Sequence, residues 1–90
     1  MIFKFYLAES AREDLERLDS VVRQRILNKL TFFSVQLNPL KYAKKLSNVH
    51  FGNYRFRIGD YRVIFDLNRD NTITILLILR VKHRREVYNI

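Results

Sequence analysis

Arg55, Arg57 and Arg62 fall within one run, N-Y-R-F-R-I-G-D-Y-R-V-I-F-D, from Asn53 to Asp66. Arginine presents planar donors that match phosphate oxygens in pairs, and it stays protonated in ordinary surroundings. Three of them together can bind a phosphate and stabilise added negative charge, but they are poorly suited to accepting a proton. Near the carboxy terminus, His83 can exchange a proton close to neutrality. Tyr88 offers an aromatic face for stacking on an unpaired base, worth about 1–3 kcal/mol per base. These residue types suit a ribonuclease in which the substrate's own 2′-hydroxyl attacks the adjacent phosphate to leave a cyclic 2′,3′ end, while fixed cations stabilise the transition state. No carboxylate cluster accompanies the arginines, as a two-metal nuclease would require, so neither a metal nor another cofactor is implied. Plainer readings stand beside this one: a solvated basic surface, His83 as a hydrogen-bonded strand end, and Tyr88 as an aromatic that anchors the chain end.

The elements that must position these groups are legible around them. Apolar and charged residues alternate on both sides of Gly59-Asp60, the period-2 pattern of two half-buried strands joined by a tight turn. With Ile58 facing Tyr61, the residues Tyr54, Phe56, Ile58, Tyr61, Val63 and Phe65 share one face and the three arginines the other. Arg57 then lies opposite Arg62, and like charges so placed destabilise a sheet, so the face looks built for an anion. Before the hairpin, Phe3 to Leu7 reads as a first strand. Ser10-Ala11-Arg12-Glu13 fits a capping box opening a first helix that runs to about Leu18, with Glu13 and Asp14 suiting the positive end of its dipole. Asp19-Ser20 breaks the chain, and Val22, Ile26, Leu27, Leu30, Phe33 and Leu37 form the apolar stripe of a second helix ended by Asn38-Pro39. Leu40 to Gly52 has no clear period and reads as a loop delivering Lys41, Lys44 and Lys45 beside the sheet, with His50 as a surface residue. Thr72 to Val81 is apolar on both faces and reads as a buried central strand. The turn before it leaves open whether Arg80 or His83 points to the arginine face. The expected architecture is α+β: a twisted antiparallel sheet in the order β-α-α-β-β-β, with an N-terminal helical hairpin packed on one face.

At 90 residues, with 48% hydrophobic content, two glycines and one proline, the chain reads as a single folded domain over residues 1–90. It lacks cysteine, which excludes a disulfide framework and a thiolate metal site and makes the cytosol the expected compartment. No segment has the roughly 20 apolar residues needed to cross a bilayer, and the amino terminus has no signal-peptide core. The net charge of +8 is unevenly placed. Residues 1–20 carry five acids against three bases, whereas residues 41–90 carry eleven bases against four acids. Such a one-signed field draws polyanions and acidic proteins. Lys41, Lys44, Lys45, Lys82 and Arg85 are the candidate contacts to RNA or to a ribosome.

The order of elements, with Y-R-F-R-I-G-D-Y-R-V-I-F-D in the middle and H-R-R-E-V-Y at the end, resembles the RelE branch of the RelE/ParE toxin superfamily over nearly the whole chain. The resemblance implies a toxin of a type II toxin-antitoxin system that cleaves mRNA in the ribosomal A site, inhibits translation, and is silenced by a short acidic antitoxin. By position, Arg55 and Arg57 match two basic residues that are often lysines in the family, and Arg62 matches the arginine of the G-x-Y-R-type segment. The basic or histidine position of the tail falls on His83 or Arg84, and the terminal tyrosine on Tyr88. In that role Arg55, Arg57 and Arg62 clamp the phosphate, His83 is the general acid for the leaving 5′-oxygen, Arg84 assists charge stabilisation and Tyr88 stacks on or orients the nucleotide. Arginine does not readily give up its proton as a crowded lysine does, so the general base is left to water, the ribosome's RNA or His83. The superfamily also contains ParE-type members that poison DNA gyrase, and a nucleic-acid-binding module without catalysis is the remaining alternative.

Overall fold

The structure, a computed structural model, describes residues 2–47, 52–70 and 72–86. Strand β1 (Ile2–Leu7) turns Phe3, Phe5 and Leu7 inward and leaves Ile2, Lys4 and Tyr6 exposed, as its alternation dictates. Helix α1 (Glu9–Glu16) follows at once, because the Ala8 N–H still donates to the Ile78 carbonyl of the sheet, and it buries Ala11, Asp14 and Leu15. Ser10 is therefore inside the helix rather than its cap, and no side chain caps this end. The earlier start also moves Asp14 out of the first turn and into the second half of α1, where the dipole disfavours an acid. Arg12 ties Glu9 and Glu16 along the exposed side at 3.0 and 2.9 Å.

Helix α2 (Ser20–Ser34) lays Ile26, Leu30 and Phe33 on the sheet, with Val22 and Leu27 half-buried beside them. It ends before the expected stop, so Leu37 stands outside it and is fully exposed. Asn38 instead caps a 3₁₀ turn, Pro39–Tyr42, through its side-chain oxygen, which accepts from the Leu40 N–H at 3.2 Å. The segment read as a loop then supplies a short edge strand, β2 (Ala43–Lys45).

Strands β3 (Tyr54–Ile58), β4 (Tyr61–Arg69) and β5 (Ile73–His83) complete a five-stranded sheet in the order β1-β5-β4-β3-β2. Pairing is antiparallel from β2 to β5, whereas β1 joins β5 in parallel, so the sheet is mixed. The helical hairpin carries the chain to the far edge, and the meander returns from there to β1. One face of the sheet packs on the helices through a run of rings, Phe33 on Phe56 at 4.3 Å and Phe56 on Phe65 at 4.4 Å between centroids. Among the described residues, the other face carries no helix. Its middle holds a small apolar cluster of Leu46 and Ile64, crossed closely by Gly52. A Cβ at Gly52 would lie 2.8 Å from an Ile64 methyl, and its φ of 132° disfavours any side chain, so only glycine fits this crossing.

Candidate phosphate-binding site

The hairpin forms as its alternation requires. Ile58 pairs with Tyr61 across Gly59-Asp60, Gly59 has a φ of 58°, and Arg57 lies directly opposite Arg62. Tyr54, Phe56, Ile58, Tyr61, Val63 and Phe65 accordingly face the helices, and Arg55, Arg57 and Arg62 occupy the helix-free face. Lys44 of β2 pairs with Arg55 and joins that face, while Lys45 pairs with Tyr54 and turns the other way. Lys41 is exposed on the 3₁₀ turn.

Arg62 is the best-held of the three. Its side chain is buried, and Nη1 donates to the Gly59 carbonyl at 3.2 Å and to the Tyr61 carbonyl at 3.1 Å, which folds the guanidinium back under the turn. Burial, followed by the charges of Arg57, Arg55 and Arg84, moves its pKa below the ordinary guanidinium value; Asp60 opposes this only in part. Arg55 is lowered by burial and by Arg57, and its Nε is buried with no hydrogen-bond partner. Among the described residues, Arg55, Arg57 and Arg62 have no ion pair with a carboxylate. Asp66, the nearest acid in β4 sequence, is occupied by the Asn53 N–H.

The carboxy-terminal candidates divide. Arg84 joins the arginines: a 3₁₀ turn, Arg84–Glu86, follows β5, the Arg84 N–H donates to the Asp60 carbonyl at 2.7 Å, and its Nε stands 3.7 Å from the Asp60 carboxylate. Arg80 shares the arginine face by register, opposite Ile64, but its guanidinium is held by Asp14, and His83 does not reach that face at all. A bulge at the Ile64–Phe65 step leaves Leu79 without a partner, after which His83 pairs with Tyr61 and Lys82 with Arg62. Strand alternation therefore puts His83 on the helix side, edge-on to the Tyr61 ring at 5.3 Å, its Nδ1 accepting from the Arg85 N–H at 3.2 Å. His83 is thus not placed with the arginines it was expected to serve as general acid. Lys82 shares the row of Arg57 and Arg62, but its ammonium leans to Asp14 and Glu86 at 3.8 and 4.0 Å. Arg85 is exposed; Tyr88 and His50 lie outside the described residues.

The residue that sequence reasoning missed is Asp14. Its carboxylate accepts from Arg80 Nε at 2.9 Å, from Arg80 Nη2 at 3.0 Å and from the Val81 N–H at 2.9 Å. Burial pushes its pKa up, but the bonds from Arg80 and Val81 and the charges of Arg80 and Lys82 outweigh it and hold the carboxyl below its usual value. A polar residue on the sheet-facing side of an amphipathic helix was the available signal. Among the described residues, no group of three metal-ligating side chains gathers. A groove of about 670 Å³ along the outer side of α2, lined in part by Gln24, Lys29 and Phe32, contains none of the residues above.

What the arginine face can do chemically is hold a multiply charged oxyanion, since among the described residues no carboxylate pairs with Arg55, Arg57 or Arg62 and Arg57 is exposed to an incoming ligand. Comparison with known proteins places the chain in a family. The model for the ParE toxin of type II toxin-antitoxin systems, parDE, matches residues 5–88. Toxin RelE3 of Methanocaldococcus jannaschii is 33% identical, with 96% of each chain covered, and toxin RelG of Mycobacterium tuberculosis is 29% identical over 88% of this chain and 87% of its own. The fold is similar to that in the toxin-antitoxin complex RelBE2 of M. tuberculosis, with a TM-score of 0.75 and 26% identity over 93% of this chain and all of the other. It is also similar to that in the archaeal RelE-RelB complex of Pyrococcus horikoshii, with a TM-score of 0.69 and 25% identity over 97% of this chain and all of that one. The chain belongs to the RelE/ParE superfamily and is a toxin of the type II toxin-antitoxin class.

Proposed function

We propose that this toxin is a metal-independent endoribonuclease that cuts message in the ribosomal A site. The observation that supports it most is the charge left unbalanced on the helix-free face. Burying a guanidinium costs free energy unless it is paired, and crowding four of them costs more, yet none of the three on the hairpin has a carboxylate partner among the described residues. A phosphodiester supplies the missing charge. Arg55, Arg57 and Arg62 hold its oxygens, Arg84 adds charge from the tail, and the 2′-hydroxyl of the preceding nucleotide attacks the phosphorus in line. Attack forms the bond from the 2′-oxygen to phosphorus and breaks the bond to the 5′-oxygen. With His83 turned to the helix side, the 2′-hydroxyl gives its proton to water, the leaving oxygen takes one from water, and the rate rests on positioning and charge.

The ribosome supplies what the domain lacks: it holds the codon in an attack-ready conformation, which is why cleavage of free RNA should be poor. In this reading exposed Lys41, Lys44 and Arg85 meet RNA backbone around the site, whereas Lys45, turned to the opposite face, is left out of it. This activity belongs in the cytoplasm, where messages are translated. The related solved structures are toxin-antitoxin complexes, and the same positive field fits a cognate antitoxin whose acidic segment covers or distorts the arginine face. A second reading, inhibition of DNA gyrase, is favoured by the family description, which names ParE.

Primer extension on ribosome-bound message decides between them. Cuts within the A-site codon, with gyrase supercoiling activity untouched, support the nuclease. Intact message together with blocked supercoiling would replace it by the gyrase reading.

A further inference from the structure

Beyond Leu7, β1 no longer covers β5, so among the described residues the terminal part of β5 has β4 on one side and no strand on the other. Asp14 occupies that vacant edge. One carboxylate oxygen takes the Val81 N–H that a neighbouring strand would have taken, and both oxygens grip the Arg80 guanidinium; Lys82 and Arg17 stand at 3.8 Å. The arrangement is not what helix stability selects, since an acid in the second half of a helix opposes the dipole, and a buried ion pair is seldom more stabilising than apolar packing. Its position along the chain is informative. Three residues after Val81 comes Arg84, a cation of the arginine site that the hairpin does not carry, strapped to the hairpin turn through the Asp60 carbonyl.

We propose that Asp14 is a positioning residue for the arginine site: by latching the open edge of β5 it fixes where the tail leaves the sheet and so holds Arg84 beside Arg62. The proposal rests on the nuclease reading for its functional consequence but not for its geometry. Asp14 touches no substrate. It acts through Val81, Lys82 and Arg84, and it draws Arg80 and Lys82 away from the anion so that the hairpin arginines and Arg84 define where the phosphate sits.

Two measurements on the full chain test this. Amide hydrogen exchange reads the geometry: in Asp14→Asn, exchange at the Arg84 N–H should accelerate about tenfold or more, while the amides of Val63 and Leu76 keep their protection. Equal protection at Arg84 in both proteins would overturn the latch. Cleavage on programmed ribosomes reads the consequence through a cycle of Asp14→Asn, Arg84→Ala and the double variant. Asp14→Asn should lower kcat by about tenfold to a hundredfold with little change in KM. In the Arg84→Ala background it should add nothing, because the group it positions is gone. Independent, multiplying losses would show a general structural role and overturn the proposal. If Asp14→Asn does not fold, Arg80→Gln supplies the other arm: it leaves the Val81 bond in place, so exchange at the Arg84 N–H should stay at the wild-type rate, and acceleration there would overturn the latch. A wild-type protein that cuts no message would refute the nuclease reading alone, since the exchange comparison still decides the latch.

Discussion

Two groups of charged side chains sit near the same end of the sheet and are treated in opposite ways. Around Asp14, one buried carboxylate is surrounded by Arg80, Lys82, Arg17 and a backbone N–H, so the charge is met several times over. On the helix-free face, Arg62 is buried among Arg55, Arg57 and Arg84 and, among the described residues, is met by carbonyls and a distant share of Asp60. Both arrangements take charge out of water. Among the described residues, only the first is complete. On the nuclease reading the difference separates a group that holds structure from one that waits for a ligand, and it predicts opposite responses to removing a charge.

The largest effect should come from Arg62→Ala. Cleavage and growth arrest should fall by about 10²–10³, the scale of losing one aimed electrostatic donor. Thermal melting should nonetheless stay within about 5 °C of the wild type, because relief of like-charge repulsion offsets the lost bonds to Gly59 and Tyr61. Loss of folding in this variant would erase the contrast. Asp14→Asn should do the reverse to stability: removing a buried acceptor of charged donors costs about 2–3 kcal/mol, or roughly 10–20 °C in Tm for a domain of this size. An unchanged melt would show that the Asp14 bonds are spectators.

The same contrast has a pH signature. The folded-state pKa of Asp14 is depressed, so its contribution is present above the unfolded carboxyl value of about 4 and is lost as pH falls through the lower, folded value. Denaturation curves from pH 6 downwards should show the wild type losing more stability than Asp14→Asn; parallel acid limbs would contradict the depressed pKa. The smallest effect is expected at His83. Its ring lies on the helix side, so His83→Gln should keep cleavage within about threefold of wild type, whereas removal of a working general acid typically costs 10²–10⁴. A hundredfold loss would return the histidine to the reaction.

What the sequence disclosed, and what it hid, follows the range of the interactions. The hairpin was readable because alternation and a Gly-Asp turn are local, and a two-residue turn fixes the register that opposes Arg57 to Arg62. The apolar stripe of α2 was readable for the same reason, although its end was not, since Ser34 stops the helix before Leu37. Strand β2 was hidden because Lys44 and Lys45 break any apolar period; the pairing with β3 makes it a strand. The parallel docking of β1 on β5 joins residues far apart in the chain and leaves no local mark. Leu79 is the instructive failure. A single bulged residue decides which way Arg80 and His83 turn, and neither composition nor period announces it. Asp14 was misread for a related reason: taking Ser10 as the cap placed it in the first turn, where an acid needs no further explanation.

The claim beneath all of this is that the hairpin arginines are unbalanced because a phosphate completes them. Binding of a short RNA blocked by a 2′-O-methyl group, followed over a range of KCl concentrations for the wild type and for Arg57→Gln, addresses it directly. Each phosphate contact on a single strand contributes about −0.7 to the slope of log K against log salt, so the variant should bind more weakly and with a slope shallower by about that amount. Identical affinity and slope in the two proteins would mean that Arg57 meets no phosphate, and the arginine face would need another explanation.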